Sequence, residues 1–171
     1  MPERLIVAMT GADGTRYGIR LLETLRDTPV ESHLVMCPCS HQTIRSETGH
    51  DPDLVRKLAD RAYHPHNQAA RISSGSFLTR GMVIAPCSVR SMATIVNGYA
   101  TTLVARAADV TLKEGRPLVL LVSESPLSPI QVANLRRAQS IPGVVVSWPG
   151  DRPADDVVSG LLDQLAIPRP G

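Results

Sequence analysis

Glu124 is the most pointed candidate for chemistry in this chain. It closely follows the apolar run Pro117–Val122 and precedes Pro126. In an open α/β sheet, ligands and reacting groups gather beyond the carboxyl ends of the strands. A carboxylate at such a place can trade protons with a substrate, although a loop acid capping the next helix has the same local sequence. The second candidate is the stretch Thr79–Arg90, TRGMVIAPCSVR. Met82–Ala85 is of strand type, Pro86-Cys87-Ser88 stops it, and a helical pattern opens with Ser88 as its N-cap. A buried strand feeding a capped helix leaves backbone N–H groups and the positive end of a dipole at one spot, which suits a phosphate. Just upstream, Ser73-Ser74-Gly75-Ser76 is a hydroxyl-rich loop able to close over a ligand. Arg106 and Lys113 flank a short helix and are either solvated charges or a phosphate clamp.

Other groupings carry less. Gly11-Ala12-Asp13-Gly14 with Gly18 has the spacing of some dinucleotide loops, but a plain strand-to-helix turn reads the same way. A nicotinamide-dinucleotide site would place an acid at the end of the second strand, where Met36-Cys37-Pro38 stands instead. Cys37-Pro38-Cys39-Ser40-His41, with His64 and His66 further on, lacks the second ligand pair of a structural zinc site, so no metal is expected. Cys87 beside a helix N-terminus could be an activated thiol, but no histidine is assigned to it, and packing explains it better.

The elements that must hold these residues follow from periodicity. Apolar runs at Arg4–Met9, Val30–Met36, Gly81–Ala85, Pro117–Val122 and Gly143–Val146 read as strands. Helices are predicted over Tyr17–Arg26, His41–Glu47, Asp53–Ala62, Val89–Val96, Pro129–Ala138 and Asp155–Leu165, with Tyr63–Phe77 a long loop holding one helical turn. Strands alternating with helices argue for a doubly wound parallel α/β sheet of three layers. One domain over residues 1–171 is expected, with a flexible Pro-rich tail at 168–171. Thr10, Cys37, Pro86–Arg90 and Ser123-Glu124 then share one rim.

Composition narrows the function. Aromatics are 3% of residues, too few for base-stacking platforms, and the net charge of +2 implies no polyanionic partner. No apolar stretch is long enough to span a membrane and no signal segment is evident. An odd count of three cysteines makes no disulfide framework, so a reducing, cytoplasmic setting is expected.

RLIVAMTGADG-YGIRLLETLR, SGSF-T-GMVIAPCSVRSMATI, RAADVTLKE-RPLVLLVSESPLS and DDVV-LLDQLAI strongly resemble the flavin prenyltransferase family of UbiX type, once labelled phenylacrylic or hydroxyarylic acid decarboxylase. The resemblance implies a flavodoxin-like, FMN-binding subunit of a homododecamer built from trimers. It implies metal-free transfer of a dimethylallyl group from dimethylallyl monophosphate to reduced FMN. The product, prenylated FMN, goes to a UbiD-type decarboxylase. Carried over, Thr10, Gly11, Ala12 and Asp13 lie by the FMN with Cys37, and Cys87, Ser88, Val89 and Arg90 hold its phosphate region beside Ser123. Ser74 and Gly75 face the isoalloxazine, Glu124 is the acid/base, and Glu47 is a second carboxylate. Arg106 and Lys113 grip the prenyl phosphate, partly across a subunit boundary.

The chain departs from the family pattern at several of these places. Asp13 and Cys37 stand where serine is usual, and Ser123 stands where an arginine is usual. Ser147-Trp148-Pro149 lacks the usual tyrosine, the last helix lacks its arginine, and Arg152 is a candidate replacement. A prenyl transferase is therefore expected, with a module that binds or delivers FMN or prenylated FMN as the alternative. A flavoprotein that decarboxylates peptidyl-cysteine fits SGSF and RAADV-LKE less well.

Overall fold

The computed structural model describes residues 3–171. Six strands, β1 (Arg4–Met9), β2 (Glu31–Met36), β3 (Arg61–Tyr63), β4 (Met82–Ile84), β5 (Leu118–Leu121) and β6 (Val144–Ser147), form one sheet in the spatial order β3-β2-β1-β4-β5-β6. Every pairing is parallel. The central strands are apolar on both faces because helices cover both, as a parallel sheet requires. Between β1 and β4 the winding reverses direction, and this topological switch opens a crevice at the strands' carboxyl ends.

The pleat divides the core. Leu5, Val7, Met9, Val83, Val119 and Leu121 face one way, against α1 (Thr15–Leu25), with α2 (Ser40–Thr48) and α3 (Pro52–Arg56) alongside. Ile6, Ala8, Met82, Ile84, Leu118 and Leu120 face the other way, against α4 (Val89–Val96), α5 (Leu103–Lys113) and α6 (Pro129–Ser140). The last helix, α7 (Ala154–Gln164), returns beside α1 through Val157, Val158, Leu161 and Leu162. Gly18 is what lets α1 lie against the sheet: a Cβ there would overlap the Ala85 carbonyl oxygen. In the tail, the Arg169 guanidinium pairs with Asp163.

The predicted helix over Asp53–Ala62 ends early, and an unforeseen strand follows it. Helix α3 stops at Arg56, and Arg61–Tyr63 adds the edge strand β3, in register with His33–Val35. Three residues at an edge, two of them exposed, show no apolar alternation to read. The strand is set by contacts distant in sequence. Asp60 accepts from the Ser32 amide at 2.7 Å and the Ser32 hydroxyl at 2.9 Å, and the Tyr63 hydroxyl meets His33 Nδ1 at 2.8 Å. The helical turn expected in the following loop is a single 3-10 turn at Arg71–Ser73.

Candidate active site

Thr10 directly follows β1 at the crevice and is 1% exposed. Its hydroxyl donates to the Pro86 carbonyl at 2.8 Å and accepts from the Ser88 amide at 2.8 Å. On the other side, the Cys87 amide donates to the Leu121 carbonyl at 2.8 Å. The Pro86–Ser88 turn is therefore pinned by both neighbouring strands, which fixes where α4 begins. Ser88 caps that helix, its Oγ accepting from the Ser91 amide at 3.0 Å. The Cys87 thiol is wholly buried, and desolvation pushes its pKa up to about 12 with help from nearby Glu124. It is a packing residue and not a nucleophile.

The anion seat expected at the start of α4 is filled by the protein itself. The Val89 amide donates to Glu124 Oε1 at 3.0 Å, so the carboxylate sits on the positive end of the helix dipole. Helix α1 is treated alike. Glu47, reaching over from α2, accepts from the Gly14 amide at 2.9 Å, the Thr15 amide at 3.0 Å and the Thr15 hydroxyl at 2.8 Å. Both carboxylates named from the sequence therefore stand on helix N-termini at the carboxyl rim of the sheet.

Two cavities flank this rim. The one on the α4/α5 side has about 350 Å³. Its polar lining is Thr10, Ser88, Ser91 and Arg90, with Cys37 and Cys39, and its apolar lining is Ile95, Val104 and Ala105. Pro65 and His66, from the loop after β3, close one side. The other cavity, of about 410 Å³, is lined by Asp13, Arg16, Glu47, Ser123 and Gly150. Here the Ser123 hydroxyl donates to the Asp13 carbonyl, and the Arg16 guanidinium lies 4.7 Å above the Tyr17 ring. Among the described residues no cluster of three or more His, Cys, Asp or Glu is placed to hold a metal ion.

The family described as Flavoprotein matches residues 1–164. The flavin prenyltransferase UbiX of Escherichia coli (strain K12) is 44% identical over 178 residues, covering 98% of this chain and 94% of the relative. The chain belongs to the flavoprotein family, in its UbiX-type flavin prenyltransferase group. The crystal structure of AnUbiX (PadA1) in complex with FMN and dimethylallyl pyrophosphate superposes with a TM-score of 0.93 at 39% identity, over 98% of this chain and 94% of that one. A dodecameric FMN-dependent Ubix-like decarboxylase from Escherichia coli O157:H7 gives 0.92 at 45% identity, over 98% and 96%.

Seen as a UbiX-type subunit, the chain brings together most of the residues named from its sequence. Thr10, Cys37, Ser88 and Arg90 line one cavity and Asp13, Glu47 and Ser123 line the other, while Val89 and Glu124, bonded to each other at the start of α4, line neither. Gly11 and Ala12 form the turn between β1 and α1, with the Ala12 amide donating to the Thr10 carbonyl at 3.0 Å. Two pairs lie elsewhere. Ser74 and Gly75 are at the amino end of the sheet, where Arg116, just before β5, donates to the Gly75 carbonyl at 2.8 Å. They do not face the crevice of their own chain. Arg106 and Lys113 are exposed on α5 and line neither cavity.

Several wall residues were not among the site residues expected from the sequence. Cys39 and Ser91 follow predicted site residues by less than a turn and Ile95 by less than two, and helical spacing from Ser88 could have found Ser91. Arg16 and Pro65 reach the site only through the tertiary fold. Arg152 answers the question posed for it. Its guanidinium donates to the Pro149 carbonyl at 3.0 Å and the Trp148 carbonyl at 2.7 Å, folding back on its own turn.

Proposed function

We propose that this chain transfers a dimethylallyl group from dimethylallyl monophosphate to reduced FMN in the cytoplasm, releasing prenylated FMN to a UbiD-type decarboxylase. The observation that carries the reading is a mixed polar and apolar cavity at the switch point of a UbiX-type fold, its wall residues Ser88 and Arg90 flanking the Val89 amide that holds the Glu124 carboxylate. The donor set fits FMN. The Ser91 hydroxyl and the Arg90 guanidinium suit a phosphate, the Thr10 and Ser88 oxygens, whose protons go to the Pro86 carbonyl and Ser91 Oγ, can still accept from a polyol chain, and Ile95, Val104 and Ala105 suit a flat ring. When bound in its reduced form, FMN supplies the nucleophile.

The chain's own residues orient, exclude water and move protons. Thr10, bonded to the Ser88 amide, fixes the turn that forms the cavity's polar edge. Glu124 is held where it can take up or return a proton at the crevice. Glu47 keeps the start of α1 in place beneath Asp13 and Ser123. Arg106 and Lys113 grip the prenyl phosphate of a neighbouring subunit, and Ser74 and Gly75 belong to a neighbour's flavin site. Their exposure away from the local cavities, and the dodecameric state of a solved relative, support that assignment.

The test is anaerobic incubation with reduced FMN and dimethylallyl monophosphate, followed by mass analysis of the extracted flavin. A prenylated flavin is expected, and an unmodified one at high enzyme concentration refutes the reading. A second reading, delivery of FMN or prenylated FMN without transfer, rests on two observations. Ser123 bonds to the Asp13 carbonyl, and Arg152 is bound to its own backbone. Neither position brings a cation to the crevice, so a substrate phosphate finds fewer charge-assisted bonds within this chain. Tight binding of prenylated FMN with no turnover would favour this second reading.

A further inference from the structure

We propose that Cys37 and Cys39 form a reversible dithiol–disulfide couple in the wall of the 350 Å³ cavity, and that its state sets the affinity of that cavity for its ligand. The backbone makes the couple. β2 ends at Met36, and a tight turn follows in which the Ser40 amide donates to the Cys37 carbonyl at 2.9 Å and Pro38 occupies the second corner. Residues 37 and 39 then project to the same side, with their sulfurs 2.6 Å apart. The Ser40 hydroxyl donates to the same carbonyl at 2.7 Å and holds the turn shut.

Burial does not account for this pair. A structural cysteine is usually a small buried hydrophobe, as Cys87 is here. Cys39 is instead exposed and Cys37 half-buried, both on a cavity a small molecule can enter. Gly11 bears on the arrangement as well. A Cβ there would come within 2.8 Å of Cys39 Sγ, so the β1–α1 turn packs directly on the sulfur, and moving that sulfur moves part of the cavity's surroundings.

The exchange balances with a small disulfide as oxidant. The exposed Cys39 thiolate attacks one sulfur of that disulfide, displacing the other as a thiol and leaving a mixed disulfide. Cys37 then loses its proton and attacks Cys39 Sγ, forming the Cys37–Cys39 bond and expelling the second thiol. Two electrons and two protons pass from the pair to the oxidant, and an excess of small dithiol reverses both steps. The division of roles follows from exposure. Burial also pushes the Cys37 thiol up to about 11, which makes it the slower partner and suits it to the second, intramolecular step.

The full-length protein is equilibrated in glutathione buffers from fully reduced to fully oxidised, denatured in acid, alkylated and weighed. The chain has three cysteines, so the reduced form should take three alkyl groups and the oxidised form one, on Cys87, with full recovery after dithiothreitol. C37S and C39S should never lose two sites together. Three alkyl groups throughout, a persistent glutathione adduct on Cys39, or a disulfide between two chains would each overturn the couple. FMN titration of both forms, by quenching of flavin fluorescence, should give dissociation constants that differ in wild type and coincide in C39S under the two conditions. Equal constants in wild type overturn the link to the cavity. FMN binding to neither form counts against the flavin reading and leaves the couple standing.

Discussion

Glu47 tests whether a carboxylate named for chemistry serves chiefly as an anchor. Its single oxygen Oε2 receives two backbone amides and one hydroxyl at the first turn of α1. Hydrogen bonds to a charged group are worth about 1.5–3 kcal/mol each when removed singly, but three on one partly exposed oxygen do not add. The dipole interaction contributes about 0.3–1 kcal/mol more. Glu47→Ala leaves two amides without their acceptor, and water reaches part of the site, so a loss of about 2–4 kcal/mol is expected. Glu47→Gln keeps an acceptor oxygen and loses the charge, for about 1 kcal/mol. Urea unfolding followed by circular dichroism should therefore order the variants wild type, Gln, Ala, with the slope unchanged. For a domain of this size the Ala variant should melt roughly 5–15 °C lower. If both variants are as stable as wild type, Glu47 is not an anchor. If Gln is stable yet loses flavin prenylation entirely, its charge belongs to the reaction.

Three further outcomes follow from the geometry. Glu124→Gln should bind FMN within a few-fold of wild type in fluorescence titration while prenylation falls by about 100-fold or more, and equal turnover refutes its proton role. Gly18→Ala should cost about 1–3 kcal/mol in urea unfolding, since the new methyl meets the Ala85 carbonyl, and an unchanged midpoint refutes that close approach. Burial lowers the pKa of His33 in the folded state, and burial with nearby Arg56 and Arg45 lowers that of His41. The unfolded chain therefore takes up protons first. Stability should be full above the unfolded value near 6.5 and should fall as pH drops through it toward the folded values. His33→Gln should flatten part of that fall, and an unaltered pH profile would refute the assignment.

Much of the scaffold could be read directly because its strands are buried on both faces. Leu5–Met9 and Pro117–Val122 are uninterrupted apolar runs, and such runs leave few alternatives. Helix α4 was legible to the residue because Ser88 both stops the strand segment and caps the helix. Edge strand β3 was not, since Arg-Ala-Tyr has no pattern of its own and depends on Asp60 and His33 contacting other segments. The site divides the same way. Glu124 was named from its position after a strand, while the amide that holds it could not be foreseen. A carboxylate and a helix start 35 residues apart look independent until the sheet folds them together. Ser74 and Gly75 show the opposite case, a motif that points to a site its own chain places at the far end of the sheet.

The tethered acid on the Val89 amide has a consequence for selectivity. A side chain fixed beside its partner competes as though present at millimolar concentration or above, roughly. Chloride, sulfate and stray orthophosphate, arriving with nothing but charge, meet a berth already taken. Only a visitor that brings a second handle, such as a ring for the apolar wall, can evict the incumbent. The Val89 amide is thus screened against the simple salts of its solvent before any substrate arrives.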